Sequence, residues 1–362
     1  MQSRGLVEFE SCYYNRFVDN GKGLDEFYDV LTKLCQTVPN KLYHYVRKDS
    51  AFHTLAKNDI FCGHTSRMND PCEVCLGCTE FIKYCRRKAV LDEMHLQALE
   101  NILRADLAFA RLQNQYPAFM PYIFCMMPEE EAVYQWRNYT SKENGGYCFC
   151  FDVVKLNEAI RMVRRKMDGA STLLLLKCFY VGQDDGAIEQ LFDALVRYLN
   201  NPFRIFENEP DPFANTPNLI CIRGIIFTIA SLIKDKKWAN EKEWRLILIP
   251  GLTQCDEQYR GMQLKDSKKA AVQLMRRIII SPQGNQDSLK ENLKSLNADA
   301  AKIANDSCID KSVVENYITI QDGCLDRQYE EFVLDEFGKN RRVKIISQDE
   351  YIAKRLKEAS HV

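Results

Sequence analysis

Two carboxylates stand two positions apart in the most informative stretch of the chain, Lys234 to Pro250 (K-D-K-K-W-A-N-E-K-E-W-R-L-I-L-I-P). They are Glu241 and Glu243, with Lys242 between them and Arg245 just beyond. The run Leu246 to Ile249, closed by Pro250 and Gly251, reads as a buried strand with a turn after it. Residues two apart on a strand share a face, so both glutamates are predicted to face one way, and Lys242 and Trp244 the other. Two like charges on one face are costly unless a cation or a ligand lies between them. That cost points to a site. A solvated strand end with a local Glu–Arg pair is the plainer reading of the same residues. Trp238 and Trp244 bracket the acids, and the chain has only 3 tryptophans, the third being Trp136. This concentration favours the site reading.

Other residue groups could carry chemistry. His44 stands in the alternating run L-Y-H-Y-V, between Tyr43 and Tyr45 and ahead of Arg47. The segment T-S-R-M-N-D-P supplies Thr65, Ser66, Asn69 and Asp70. Asp before Pro is held extended and Asn folds back on its own backbone, so this is a strong turn whose polar residues either line a site or cap the chain. Cys72, Cys75 and Cys78 have the two-residue gaps that suit thiolate ligation of a metal. No second pair with that gap follows, and His64 is the only histidine nearby, so packed free thiols without a metal are the expectation.

Composition sets the frame for these groups. At 362 residues, 46% hydrophobic and 27% charged, the chain has room for one large or two ordinary globular domains. Its net charge of -1 gives no global argument for nucleic acid, although a local basic patch is compatible with it. The start, Met1 to Glu10, carries acids and no apolar core, so no signal peptide is expected. The apolar segment Leu219 to Ile233 is too short to span a bilayer and contains Arg223. With 15 cysteines scattered through apolar patterns, reduced thiols and a cytoplasmic location are expected, with no membrane partner.

The elements that must position these residues follow from periodicity. Helices are expected over about 25–36, 50–57, 80–115, 129–139, 152–166, 188–200 and 288–296, with a last one near 350–358. Strands are expected over 42–46, 60–64, 123–126, 147–151, 173–181, 244–249, 259–264, 277–281 and 342–346. Residues 201–218 hold four prolines and read as a long loop, and 219–233 as a buried helix or strand pair. The order is mixed α+β rather than regular βαβ, and no glycine-rich phosphate loop, G-x-S-x-G elbow or H-E-x-x-H motif is present.

Taken in order, several motifs resemble a known family. They are L-Y-H-Y-V from Leu42, I-F-C-G-H-T-S-R-M-N-D-P-C-E from Ile60 and Y-Q-W-R-N-Y from Tyr134. G-G-Y-C-F-C-F-D from Gly145, W-A-N-E-K-E-W-R from Trp238 and R-R-I-I-I-S-P from Arg276 complete the set. They resemble the bacterial family called domain of unknown function 2971 (DUF2971), over about residues 41–284. Cys72 stands where that family usually carries an aromatic. The resemblance implies a mostly prokaryotic setting, with some members associated with anti-phage defence. It divides the chain into an N-terminal helical extension (1–40), the family-like α+β domain (41–284) with a helical insertion at about 80–116, and a C-terminal tail (285–362) packed on the core.

A weaker resemblance is to the ADP-ribosyltransferase fold, a split mixed sheet with inserted and flanking helices. It implies His44 or Arg47 on a first strand, Thr65 and Ser66 on a second element, and Glu241 with Glu243 on a later strand. NAD would be the cofactor, and a protein or nucleic acid the acceptor. Cleavage of the nicotinamide–ribose bond passes through an oxocarbenium-like state, as glycoside hydrolysis does. On that reading Glu243 stabilises the positive charge and His44 holds a ribose hydroxyl. Tyr45, Trp136 or Tyr139 stacks on nicotinamide, and Arg67 or Arg245 faces the pyrophosphate. Tyr43, Asn69 and Asp70 line the same cleft. Core packing for Trp136 and Tyr139, an edge histidine for His44 and a structural turn for Asn69 and Asp70 are the plainer alternatives. The expectation requires Leu42–Val46, Ile60–His64 and Trp244–Ile249 to share one mixed sheet. Two other function classes fit the sequence: a non-enzymatic sensor that binds a defence-system partner, and a metal-dependent nuclease using Glu241, Glu243 and Asp70.

Overall fold

The computed structural model describes most of residues 22–296, together with 329–331 and 344–346. Within the first range it leaves out 36–37, 52–53, 55–58, 66–67, 69–72, 113–118, 129–134, 137–138, 141–143, 165–171, 213–215, 250–258, 263–273, 282–284, 286, 290 and 294. The strands are β1 (Lys41–Arg47), β2 (Ile60–His64), β3 (Tyr122–Met126), β4 (Gly146–Asp152), β5 (Thr172–Lys177) and β6 (Phe179–Val181). They continue as β7 (Ile233–Asp235), β8 (Trp244–Ile249), β9 (Tyr259–Met262), β10 (Met275–Ile280), β11 (Tyr329–Glu331) and β12 (Lys344–Ile346). With helices between them, the class is α+β, as expected. Two compact units emerge, each built from three separated segments of chain. One comprises Met1–Val38, Cys62–Cys125 and Arg164–Gly261, and the other Pro39–Phe61, Met126–Val163 and Met262–Val362. Among the described residues no helix is long and apolar enough to cross a membrane.

In the first unit, a five-stranded sheet runs in the order β5-β8-β3-β2-β9. All six residues of β8, W-R-L-I-L-I, are buried, which is why this run carries no polar alternation. Its antiparallel partner β5, T-L-L-L-L-K, sets Leu174 against Ile247 and Lys177 against Trp244. The ambiguous segment before β8 is a helix, Pro217–Ala230: Thr216 caps it by accepting from the Leu219 N–H at 3.3 Å, and Pro217 fills the first turn, where no donor is needed. The short strand β7 follows and pairs in parallel with β6. A 3-10 helix, Lys236–Glu241, then leads towards β8, capped by Asp235, whose Oδ1 accepts from the Lys237 N–H at 2.9 Å.

In the second unit, β4 (G-Y-C-F-C-F-D) is central and entirely buried, with β1 on one side and β10 on the other, both antiparallel. Tyr43 faces Cys150 and Tyr45 faces Cys148 across the β1–β4 register. A Cβ at Gly146 would lie 2.3 Å from the Val46 carbonyl oxygen, so only glycine lets the strands meet there. Asp152 ends β4 and caps the helix Val153–Arg164, its Oδ1 accepting from Val154 N–H at 3.0 Å and Lys155 N–H at 3.2 Å.

Four expectations are corrected. First, β1 does not share a sheet with β2 and β8: it pairs along its whole length with β4, and on its other edge only an isolated bridge forms, Tyr43 exchanging backbone hydrogen bonds with Met127. Second, the helical stretch at 80–115 is two helices, Glu73–Lys88 and Glu93–Leu112, broken where Ala89 turns left-handed at φ 50. Third, 173–181 is two strands with different partners, parted at Cys178. Fourth, the proline-rich stretch holds the helix Asn200–Glu207, because Pro202 falls in its first turn, where a missing N–H is harmless. The expected final helix near 350–358 lies outside the described residues.

Candidate functional site

The residues with the most chemistry meet around one ammonium group. Lys234, on β7, places Nζ 2.7 Å from Glu241 Oε2 and in direct contact with Glu243 Oε2. Arg245, the second residue of β8, donates through Nε to Glu243 Oε1 at 2.7 Å and through its guanidinium to the Ser231 carbonyl. Four formal charges are thus closed on one another, and all four side chains are 6% exposed or less.

Local structure explains the convergence, and it differs from strand alternation. Glu241 ends the 3-10 helix, Lys242 takes a left-handed conformation at φ 45 with its side chain exposed, and Glu243 stands just ahead of β8. The turn at Lys242, not a period of two, swings both carboxylates towards Lys234. The backbone of Glu243 is pinned as well: its N–H donates to the Tyr180 hydroxyl at 2.8 Å, and its carbonyl accepts from the Cys178 N–H at 2.8 Å. Burial works against the charged form of Glu243. Arg245 and Lys234 outweigh it, with hydrogen bonds from Arg245 and Cys125, and hold the carboxyl down to about 2 against an ordinary 4.5. The Lys234 and Lys237 ammonium groups each lie 5.7 Å from the centre of the Trp238 ring, within cation–π range.

The remaining candidates fall into separate places. Thr65, in the first unit, is buried; its N–H donates to the Pro121 carbonyl at 3.2 Å, and its Oγ1 has no hydrogen-bond partner among the described residues. In the second unit, Tyr43, Tyr45 and Trp136 are buried in one cluster with Met127, Cys148, Cys150 and Ile279, and Tyr139 packs on it. Tyr45 meets Trp136 edge to face at 4.8 Å. His44 is half-buried on β1, its ring 6.4 Å from Phe149, and Arg47 is exposed at the strand end. Ser66, Asn69 and Asp70 lie outside the described residues, as do Arg67 and Cys72. The structure therefore brings Glu241, Glu243 and Arg245 together, and separately brings Tyr43, Tyr45, Trp136 and Tyr139 together.

Sequence reasoning missed Lys234, Ser231, Tyr180 and Cys125. The spacing K-x-x-x-x-x-x-E-x-E was the one available signal, and it becomes legible only once the turn at Lys242 is known. Cys75 and Cys78 are free thiols on the helix Glu73–Lys88, and burial pushes the Cys78 thiol up. Among the described residues, no group of three or more His, Cys, Asp or Glu is placed to hold a metal ion.

No curated protein and no solved structure matches the chain. A family model does: that of the protein of unknown function family DUF2971 matches residues 135–246. The match runs from Gln135, next to Trp136, to Leu246 in β8, and so takes in the whole ion cluster. This segment, which contains the W-A-N-E-K-E-W-R motif, is what the chain shares with the DUF2971 family.

Proposed function

We propose that this protein works by binding a partner, as a sensor or adaptor, and that the motif from Trp238 to Arg245 braces its fold instead of attacking a substrate. One observation carries the reading: Glu241 and Glu243 already hold their counter-ions, Lys234 and Arg245, inside the protein. A general acid or an oxocarbenium stabiliser needs a carboxylate oxygen aimed at bound substrate. Here both oxygens of Glu243 are engaged, one by Lys234 and one by Arg245. The like-charge cost that made the pair look like a site is met by Lys234. The resemblance to a prokaryotic family with defence-associated members supports placing this binding role in defence or stress.

NAD cleavage is the alternative that the test separates. Nicotinamide release from NAD, and melting temperature with NAD or with manganese, are measured for the wild type and for Glu243→Gln. The expected results are no nicotinamide release, no stabilisation by either ligand, and a substantially lower melting temperature for the variant. Removing one partner of a buried ion pair costs on the order of 3 kcal/mol. Release by the wild type that disappears in Glu243→Gln, with the melting temperature unchanged, would overturn the proposal in favour of the transferase reading.

A further inference from the structure

The first unit holds a second piece of chemistry that the ion cluster does not use. Cys75 and Cys78 stand three residues apart on the helix Glu73–Lys88, both as free thiols. Cys75 is half-buried and Cys78 is buried. That is the division of labour of a dithiol: one sulfur reachable from solvent, one sheltered behind it. Between them, Gly77 lies against the end of the helix Pro217–Ala230, where a Cβ would come within 2.3 Å of the Ala230 carbonyl oxygen and 2.5 Å of its Cα. The next residue, Ser231, accepts the hydrogen bond from Arg245.

We propose that Cys75 and Cys78 are a redox dithiol that closes to a disulfide within the helix, and that closure is passed through Gly77 to the segment anchoring the Lys234–Glu243–Arg245 cluster. Helix geometry puts Cα atoms three residues apart at about 5 Å, inside the range a disulfide spans. Their Cβ atoms, at about 5–6 Å, are further apart than the roughly 3.5–4.5 Å a disulfide needs. The two Cβ atoms must therefore approach each other by about 1 Å, which distorts the helical turn that carries them. Gly77 is the residue caught in that turn, and its contact with Ala230 is with backbone, which cannot swing aside as a side chain would.

The oxidant is a low-molecular-weight disulfide. The Cys75 thiolate attacks one of its sulfurs, expelling one thiolate and leaving a mixed disulfide on Cys75; the proton lost by Cys75 ends on that leaving thiolate. Cys78 then attacks Sγ of Cys75, and its own proton goes to the second leaving thiolate. Two protein thiols are oxidised and the external disulfide is reduced to two thiols. Burial keeps Cys78 protonated, so the sequence starts at Cys75.

The full-length protein is incubated with oxidised or reduced glutathione. Differential alkylation with peptide mapping then locates the thiols, and amide hydrogen exchange reads the backbone. The expected result is a Cys75–Cys78 disulfide in the wild type, with exchange over residues 217–245 about tenfold faster than in the reduced protein. Cys75→Ser should lose both effects while keeping the slow exchange of the reduced protein. Three results would overturn the proposal: Cys75 halting as the glutathione mixed disulfide, Cys75 pairing with a different cysteine, or the disulfide forming with exchange at 217–245 unchanged. All three are read on the wild type, so they do not depend on the variant folding.

Discussion

One ammonium group decides what Glu241 and Glu243 can do. With Lys234 between them, two buried carboxylates are stable as anions, and Glu243 titrates far below its ordinary range. The sign of the resulting pH dependence is fixed. A carboxyl whose folded pKa is depressed contributes stability that is complete above its unfolded value and is lost as pH falls through the folded one. Stability should therefore decline between about pH 4.5 and about pH 2 as Glu243 takes up a proton. Glu243→Gln, already weakened at neutral pH, should show a flatter profile across the same window, since it has no proton to gain there. Urea midpoints for both proteins at half-unit pH steps check this; parallel profiles would mean that another group controls acid unfolding. At this scale the sequence was half legible. The cost of two neighbouring glutamates could be read directly, and with it the need for a cation or a ligand between them. Which cation met the need could not be read, because Lys234 is brought close by a left-handed lysine, and Lys242 carries no such turn signal as a glycine would.

The elements were legible where periodicity was strong. Buried strands β4 and β8 declared themselves by the apolar runs Tyr147–Phe151 and Leu246–Ile249 within them, and β1 and β2 as short β-type runs. What failed was decided by a single residue or by distant pairing. Ala89 breaks one long helical pattern in two, and Cys178 parts a run whose halves find different partners. Gly77 shows the same local control over packing. Replacing it by alanine would gain about 1 kcal/mol of helix propensity. It would also drive a methyl group into the Ala230 backbone at 2.3 Å, a distance that atoms do not sustain, at a cost of roughly 1–3 kcal/mol or more. The clash should win. Gly77→Ala is expected to lower the urea midpoint and to speed exchange in both helices, Glu73–Lys88 and Pro217–Ala230. A neutral or stabilising result would show that the two helices separate without loss.

At the scale of the whole molecule, the chain crosses between its two units five times, at 38/39, 61/62, 125/126, 163/164 and 261/262. Which segments belong together was beyond sequence reading, because membership is set by strand pairing between residues more than a hundred positions apart, as β1 and β10 on either side of β4 show. The family match inherits this geometry. Residues 135–246 take β4 from the second unit without β1 or β10, and they take β5 and the start of β8 from the first without β3. Both flanks of a fully buried strand would be left unpaired, and unpaired buried backbone groups cost too much to leave unsatisfied. The matched segment is therefore a region of shared sequence and not a folding unit. Expressed alone, 135–246 should lack a cooperative urea transition and should show fast amide exchange throughout β4, whereas the full chain protects β4 strongly. A sigmoidal transition for the fragment, with a denaturant slope in proportion to its length, would show that β4 finds new partners within the segment and that the family domain folds by itself.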